Sequence, residues 1–197
     1  LAALTMHVPV CITHEQSTVS LERWHRRVID RVLLAKTHRV LAVSEDLKQR
    51  LIAEEKLPEA KVEVLYNAID CQALQAAASR AAVDLPGVDG KRVCIVGRLE
   101  YRKDHATLLR AAARVLEKEK DTHFLLVGDG PEKGALEALA EELGLEGNVH
   151  FLGERRDVPA VLRATDVYCL SSITEGLSLS ILEAMALEKA IVATGVG

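Results

Sequence analysis

Arg92-Val93-Cys94-Ile95-Val96-Gly97-Arg98-Leu99-Glu100-Tyr101-Arg102-Lys103-Asp104 is the stretch whose reading decides the fold. An apolar run of strand length stops at a glycine, and after a short charged loop Asp104 stands where a helix over 104–117 would be capped. The same figure then repeats. A strand over 123–127 precedes a helix over 131–143, and a strand over 149–152 precedes a short helix over 157–164. A strand over 167–170 precedes a helix over 178–187, and a strand over 190–193 follows. Short, continuously apolar strands alternating with helices predict an α/β protein. Its sheet should be parallel, joined by right-handed crossovers and covered by helices on both faces.

Working outward, residues 21–36 show helical spacing, with Leu21, Trp24, Val28 and Val32 on one side. A buried strand is expected over 39–43, then Ser44 as the cap of a helix over 45–55, a strand over 61–65 and an Ala-rich helix over 70–82. Turn chemistry over 84–90 marks the region of a domain boundary. A length of 197 residues fits about one and a half domains. The division expected is an incomplete first domain over 1–70 and most of a second over 71–197. The sequence begins at Leu1 without a methionine and stops at Gly197 directly after an apolar run, so it reads as a piece of something longer.

The composition excludes several classes. With 25 Lys+Arg against 29 Asp+Glu the net charge is −4, not the basic surplus of a phosphate-neutralising surface. The aromatics Trp24, Tyr66, Tyr101, Phe124, Phe151 and Tyr168 are too scattered for a base-stacking platform, so no nucleic acid is expected as a partner. Cys11, Cys71, Cys94 and Cys169 form no CxxC pair, and the histidines show no HxH or HxxxH pairing. Free thiols in a reducing compartment and no metal are the expectation. No apolar stretch reaches the ~18–20 residues of a membrane span, and a cytoplasmic protein is predicted. The cluster Arg23, His25, Arg26, Arg27 and Arg31 beside Trp24 suits peripheral contact with an anionic membrane surface; a solvated helix face packing Trp24 inward is the alternative.

In such sheets ligands sit beyond the carboxyl ends of the strands. After Val96, Gly97 allows close backbone approach, while Arg98 and Lys103 bring a planar fork and a point charge suited to a diphosphate. The alternative is a solvated loop with Asp104 as helix cap and the cations paired to Glu100 or water. After Leu170, a small polar loop and Gly176 lead into a helix whose first N–H groups can hold phosphate oxygens. Glu175 and Glu183 stand eight apart, a spacing that lets both carboxylates face one cleft roughly 10 Å apart and accept from sugar hydroxyls. Against this, Ser180-x-x-Glu183 also fits a capping box, and Glu175 suits a helix N-terminus. A rival lies after Val127: Gly128, Gly130 and Gly134 resemble a dinucleotide fingerprint, with Glu154 placed 20 positions after Gly134 as a ribose acid. That reading is an NAD(P)-binding oxidoreductase module. Pro131 and the position of this strand within its domain weigh against it. His14, just after an apolar run, is a candidate strand-end ligand group.

Together these pieces resemble the retaining, nucleotide-sugar-dependent glycosyltransferases of the GT-B fold, of the glycosyl transferases group 1 and family 4 type. The matching pieces stand in family order: Thr13-His14-Glu15, Val40 to Ser44, Val64 to Asp70, Val96-Gly97-Arg98-Leu99 with Lys103, Val127 to Pro131, Val149 to Gly153, Asp157-Val158-Pro159, and Glu175-Gly176-Leu177-Ser178 leading to Glu183-Ala184-Met185-Ala186. The resemblance implies a Rossmann-like C-terminal donor-binding domain plus part of the N-terminal, acceptor-side domain. It implies that Arg98 and Lys103 neutralise the donor diphosphate without a metal ion, that Glu183 accepts from the ribose hydroxyls, and that Glu175 lies beside the transferred sugar. Gly97, Gly176, Leu177 and Ser178 would line the site, Glu154 and Arg155 would lie near the base, and His14 would reach the donor sugar. No cofactor is implied, because the nucleotide sugar is the substrate; the acceptor would be a sugar or a lipid-linked glycan. A non-catalytic donor-like binding domain is the remaining alternative, and a chain lacking its flanking segments is expected to bind nucleotide without assured transfer. Three positions depart from the family pattern: Asp104 stands where Gly is common, Ala68 follows Asn67 in place of Gly, and Ser178 stands where Gly or Pro is common.

Overall fold

A computed structural model describes residues 8–16, 34, 36–80, 83–86 and 90–196. The helix expected over 21–36 with its basic cluster lies outside the described residues except at Leu34 and Lys36, and so do parts of the 84–90 turn and the end of the 70–82 helix. The chain divides into two compact units. One holds residues up to Asn67 together with Glu175–Ser178, the other Ala68–Thr174 and Leu179–Val196.

The first unit is built on a parallel sheet of β1 (Ile12–Glu15), β2 (Arg39–Ala42) and β3 (Val62–Val64), with β2 in the middle. The central position explains the strand's apolar alternation, since Val40 and Ala42 are completely buried. Ser44 stops the extended chain and starts α1 (Glu45–Ala53): its hydroxyl accepts from the Leu47 N–H at 3.2 Å, as the sequence predicts for a cap. Leu47 and Leu51, one turn apart on α1, pack with Val40, Val43, Leu57 and Val62 in one core cluster.

The second unit has a five-stranded parallel sheet in the order β6-β5-β4-β7-β8, comprising β4 (Lys91–Val96), β5 (Thr122–Val127), β6 (Val149–Gly153), β7 (Val167–Leu170) and β8 (Ala190–Ala193). Its helices are α2 (Cys71–Arg80), α3 (His105–Leu116), α4 (Lys133–Glu142), α5 (Val158–Arg163) and α6 (Leu179–Ala186). Strand β5 shows why both faces must be covered. Phe124 and Leu126 point into a cluster with Leu108, Leu109 and Ala112 of α3 and Leu136 and Ala140 of α4. Leu125 and Val127 point the other way, to Val161 and Leu162 of α5 and Ala184 of α6. A strand buried on both sides has no polar alternation to show, which is why its sequence reads as one apolar run. Cys94 lies at the heart of the second cluster, where burial pushes its thiol up to about 12. Burial raises Cys169 as well, whereas Cys71, the first residue of α2, is exposed; all four thiols are free.

Candidate functional site

The strand order of the second unit reverses beside β4, since the chain runs from β4 to β5 and β6 on one side and then to β7 and β8 on the other. The crevice outside the carboxyl ends at such a reversal is where open α/β sheets bind ligands. The loops leaving β4 and β7 meet there: Ser171 Oγ donates to the Lys103 carbonyl at 2.9 Å and the Ile173 N–H to the Arg102 carbonyl at 2.8 Å. From α6, Ser180 Oγ donates to the Val96 carbonyl at 3.2 Å and shares a 2.6 Å hydrogen bond with Tyr168 Oη.

The loop after β4 carries three of the expected site residues, Gly97, Arg98 and Lys103. A Cβ on Gly97 would stand 3.4 Å from Cε of Lys103, so the glycine leaves the surface over which the lysine stem lies. Glu100 has its strong partner in Arg102 at 2.7 Å, and Arg98 lies 3.8 Å from the same carboxylate with 69% of its side chain exposed. Of the two cations in the solvated-pair alternative, Arg98 reaches Glu100 only loosely, because the close partner of that carboxylate is Arg102. Asp104 takes the left-handed conformation, φ 44° and ψ 51°, one that Asp tolerates better than most residues, and so keeps the backbone expected of a glycine there. Its carboxylate accepts from the Thr107 N–H at 3.2 Å and Thr107 Oγ1 at 2.7 Å, capping α3 as expected.

Arg98 also lines a pocket of about 360 Å³ with Gly128, Asp129, Gly130 and Glu154. A Cβ on Gly128, whose φ is +135°, would sit 2.1 Å from the Gly97 carbonyl oxygen, and one on Gly130 would sit 2.3 Å from that of Leu99. These glycines let the β5 loop press against the β4 loop, where Leu99 N–H donates to Asp129 O at 3.0 Å and Glu132 N–H to Leu99 O at 3.0 Å. Gly134, the third glycine of the dinucleotide pattern, lies in α4 with nothing within 4 Å of its missing Cβ. Loop packing accounts for the pattern, and the dinucleotide reading gains nothing from the fold. Past Gly153, Arg155 is committed to Asp157 by two bonds of 2.9 and 2.6 Å, which raise the arginine and lower the aspartate.

Glu183 lies on α6, half-buried, and burial raises its carboxyl above the usual range. The capping-box alternative does not form. Helix α6 starts at Leu179, so Ser180 is already inside it and its hydroxyl is spent on Val96 and Tyr168. Among the described residues no donor or cation sits on the Glu183 carboxylate.

His14, Glu175, Gly176, Leu177 and Ser178 belong to the first unit. His14 is the third residue of the four-residue strand β1, near its carboxyl end, where pairing with β2 continues to Glu15↔Ala42. A Cβ on Gly176 would stand 2.3 Å from the Gln16 carbonyl oxygen, Leu177 packs on the core cluster around Val40, and Ser178 is buried. Two further polar residues enter here that the sequence reading did not single out for the site: Asn67 Nδ2 donates to the Leu177 carbonyl at 2.9 Å and to Gln16 Oε1 at 3.4 Å. The signal available for Asn67 was an asparagine just beyond a strand; Gln16 carried none.

His105, the first residue of α3, is fully buried with neither ring nitrogen hydrogen-bonded. Burial, and then the charge of Lys103, lower its pKa to about 4 against an opposing pull from Asp104, so the ring is neutral at physiological pH.

Residues 79–197 match the family profile described as glycosyl transferases group 1, and residues 1–73 one described as glycosyltransferase family 4. The chain is 30% identical over 176 residues to a 2-deoxystreptamine glucosyltransferase of Streptomyces kanamyceticus, covering 86% of this chain and 46% of that protein. It is 32% identical over 163 residues to the N-acetylgalactosamine-N,N'-diacetylbacillosaminyl-diphospho-undecaprenol 4-alpha-N-acetylgalactosaminyltransferase of Campylobacter jejuni, covering 83% and 43%. The structure of Anabaena Alr3699/HepE with UDP and glucose superposes with a TM-score of 0.82 at 26% identity, over 94% of this chain and 53% of that one. The chain spans about half the length of the curated relatives it matches. Among the described residues no helix is long and apolar enough to cross a membrane.

Proposed function

The chain belongs to the glycosyl transferases group 1 family, and from that premise we propose that it is the donor-binding part of a retaining glycosyltransferase that moves a sugar from a nucleoside-diphosphate sugar to a glycan or lipid-linked acceptor. The observation that carries the reading is the pair of cations, Arg98 and Lys103, on the loop leaving β4 at the point where the strand order reverses. Breaking the bond between the sugar and the diphosphate leaves its electron pair on a phosphate oxygen. Fixed positive charge at that oxygen lowers the barrier because it acts where negative charge develops. Arg98, exposed and only loosely held by Glu100, has the planar fork for two phosphate oxygens.

In the same reading Glu183 accepts from the ribose hydroxyls. A half-buried carboxylate without a donor is an acceptor whose desolvation a bound diol would offset. The pocket formed by Arg98, Gly128, Asp129, Gly130 and Glu154 holds the base end of the nucleotide. His14 and Glu175, with Gly176, Leu177 and Ser178, are the residues this reading gives to the transferred sugar. Support for UDP as the nucleotide comes from the UDP and UDP-glucose complexes of Alr3699/HepE.

Calorimetric titration of the chain with UDP, GDP and ADP tests this. One of them should bind, and Arg98→Ala/Lys103→Ala should weaken it by about 1.5–3 kcal/mol for each charged hydrogen bond lost. Absence of binding by all three, or the same affinity in the double variant, overturns the reading.

A further inference from the structure

Glu175–Ser178 is a four-residue segment that the first unit holds by three separate means. Gly176 lies so close to the Gln16 carbonyl that no side chain fits, Leu177 enters the apolar cluster of Val40, Val43 and Leu47, and Asn67 Nδ2 donates to the Leu177 carbonyl at 2.9 Å. The second contact of that same nitrogen is Gln16 Oε1 at 3.4 Å, and Gln16 Nε2 lies 3.2 Å from His14 Nδ1. The four groups form one line: Leu177 carbonyl, Asn67, Gln16, His14.

Donor directions along that line close on themselves. An amide nitrogen has two hydrogens, and Asn67 directs one to Leu177 and one to Gln16. Gln16 must then present its oxygen to Asn67 and its NH₂ to His14, so Nδ1 of His14 is an acceptor and the neutral ring carries its proton on Nε2. Neither amide is placed by a sheet ladder. Gln16 is the first residue past β1, and Asn67 lies in the irregular segment after β3.

We propose that Asn67 and Gln16 are positioning residues for the sugar-side groups: Asn67 fixes the backbone of Glu175–Ser178, and Gln16 fixes the Nε2–H tautomer of His14. The inference rests on the nucleotide-sugar reading above and adds the two side chains that set its sugar contacts. Asn67→Asp keeps the volume but turns a donor into an acceptor facing the Leu177 carbonyl. Gln16→Leu removes both ends of the Gln16 link at an exposed position, where little stability is at stake.

The measurement is the affinity of the unsubstituted chain and each variant for UDP and for UDP-glucose, with melting temperatures recorded alongside. The unsubstituted chain should bind UDP-glucose more tightly than UDP. Asn67→Asp should hold the UDP affinity within about twofold and lower that for UDP-glucose about tenfold, as expected for one hydrogen bond misplaced. Gln16→Leu should cause a selective loss of about threefold, smaller because only the histidine's orientation is released. Equal losses for both ligands would mean a general structural role and overturn the proposal, as would no loss for either. Should Asn67→Asp fail to fold, the Gln16→Leu result decides on its own. Equal binding of UDP and UDP-glucose by the unsubstituted chain would overturn this inference and leave the diphosphate reading standing, whereas no binding of either nucleotide would remove the reading on which it rests.

Discussion

At Asp104 one residue does two tasks that usually fall to different ones. It occupies a left-handed backbone position, φ 44°, and it caps α3 through Thr107. Asp104→Gly relieves the conformation while losing the carboxylate, and the two should nearly cancel, within about 1 kcal/mol. Asp104→Ala loses the cap without gaining the freedom and should cost about 1–3 kcal/mol, read from urea unfolding midpoints. The next residue, His105, gives the second unit an acid sensitivity. Its folded pKa of about 4 lies below the unfolded value of 6.5, so above pH 6.5 both states are neutral and nothing is lost. As pH falls from 6.5 toward 4 the unfolded chain takes up a proton that the folded one refuses. Stability should then drop by about 1.4 kcal/mol per pH unit, to a total on the order of 3 kcal/mol. His150, lowered by burial and by its neighbour His123, adds in the same direction. Unfolding curves recorded across this pH range should show the slope, and His105→Leu should flatten it. At neutral pH that variant should also gain stability, because a buried ring with two unpaired nitrogens is replaced by an apolar side chain.

The glycines of the β5–α4 connection separate packing from ligand approach at the scale of an element. Gly134→Ala adds a methyl in open space within a helix and should stabilise by about 0.5–1 kcal/mol without touching nucleotide affinity. Gly130→Ala forces a Cβ against the Leu99 carbonyl and should displace the β4 loop that carries Arg98, weakening UDP together with the fold. A Gly134→Ala variant that loses nucleotide would restore the dinucleotide pattern as a functional motif. The β4 to β8 strands and their helices were legible to within a residue or two because doubly buried strands leave continuous apolar runs and each helix starts after a loop of turn residues. Strand β1 was not legible. Ile12, Thr13, His14 and Glu15 alternate between exposed and half-buried positions at the edge of a small sheet, and nothing local separates such a strand from a loop. The Ser180-x-x-Glu183 pattern misled for a related reason: a capping box is defined by where the helix begins, and the Ser180 contacts to Tyr168 and Val96 place it inside α6. Arg98, Lys103 and Glu183 were readable as chemistry beside strand ends, whereas Asn67 and Gln16 act through partners 110 and 51 positions away, which no local pattern encodes.

For the whole molecule, the first unit is not a continuous piece of sequence. Residues Glu175–Ser178 complete it, and Leu177 adds apolar surface to a core otherwise drawn from residues 34–62. Leu177→Ala should therefore speed amide exchange in β1, β2 and β3 and cost about 1–2 kcal/mol there, less than a fully buried leucine, while β4, β5 and β6 keep their protection. Equal loss of protection in both sheets would argue against the division into units. The chain crosses the division after Asn67, after Thr174 and after Ser178. A gene cut at the Asn67–Ala68 bond would thus not yield two self-sufficient proteins. The upstream product would lack its leucine plug and the strand of backbone that lies against Gln16, and the downstream product would carry that plug as a sticky apolar tab. Produced together, the two halves have a built-in reason to find each other, which makes this bond a natural place for a split reporter and a poor one for isolating a domain.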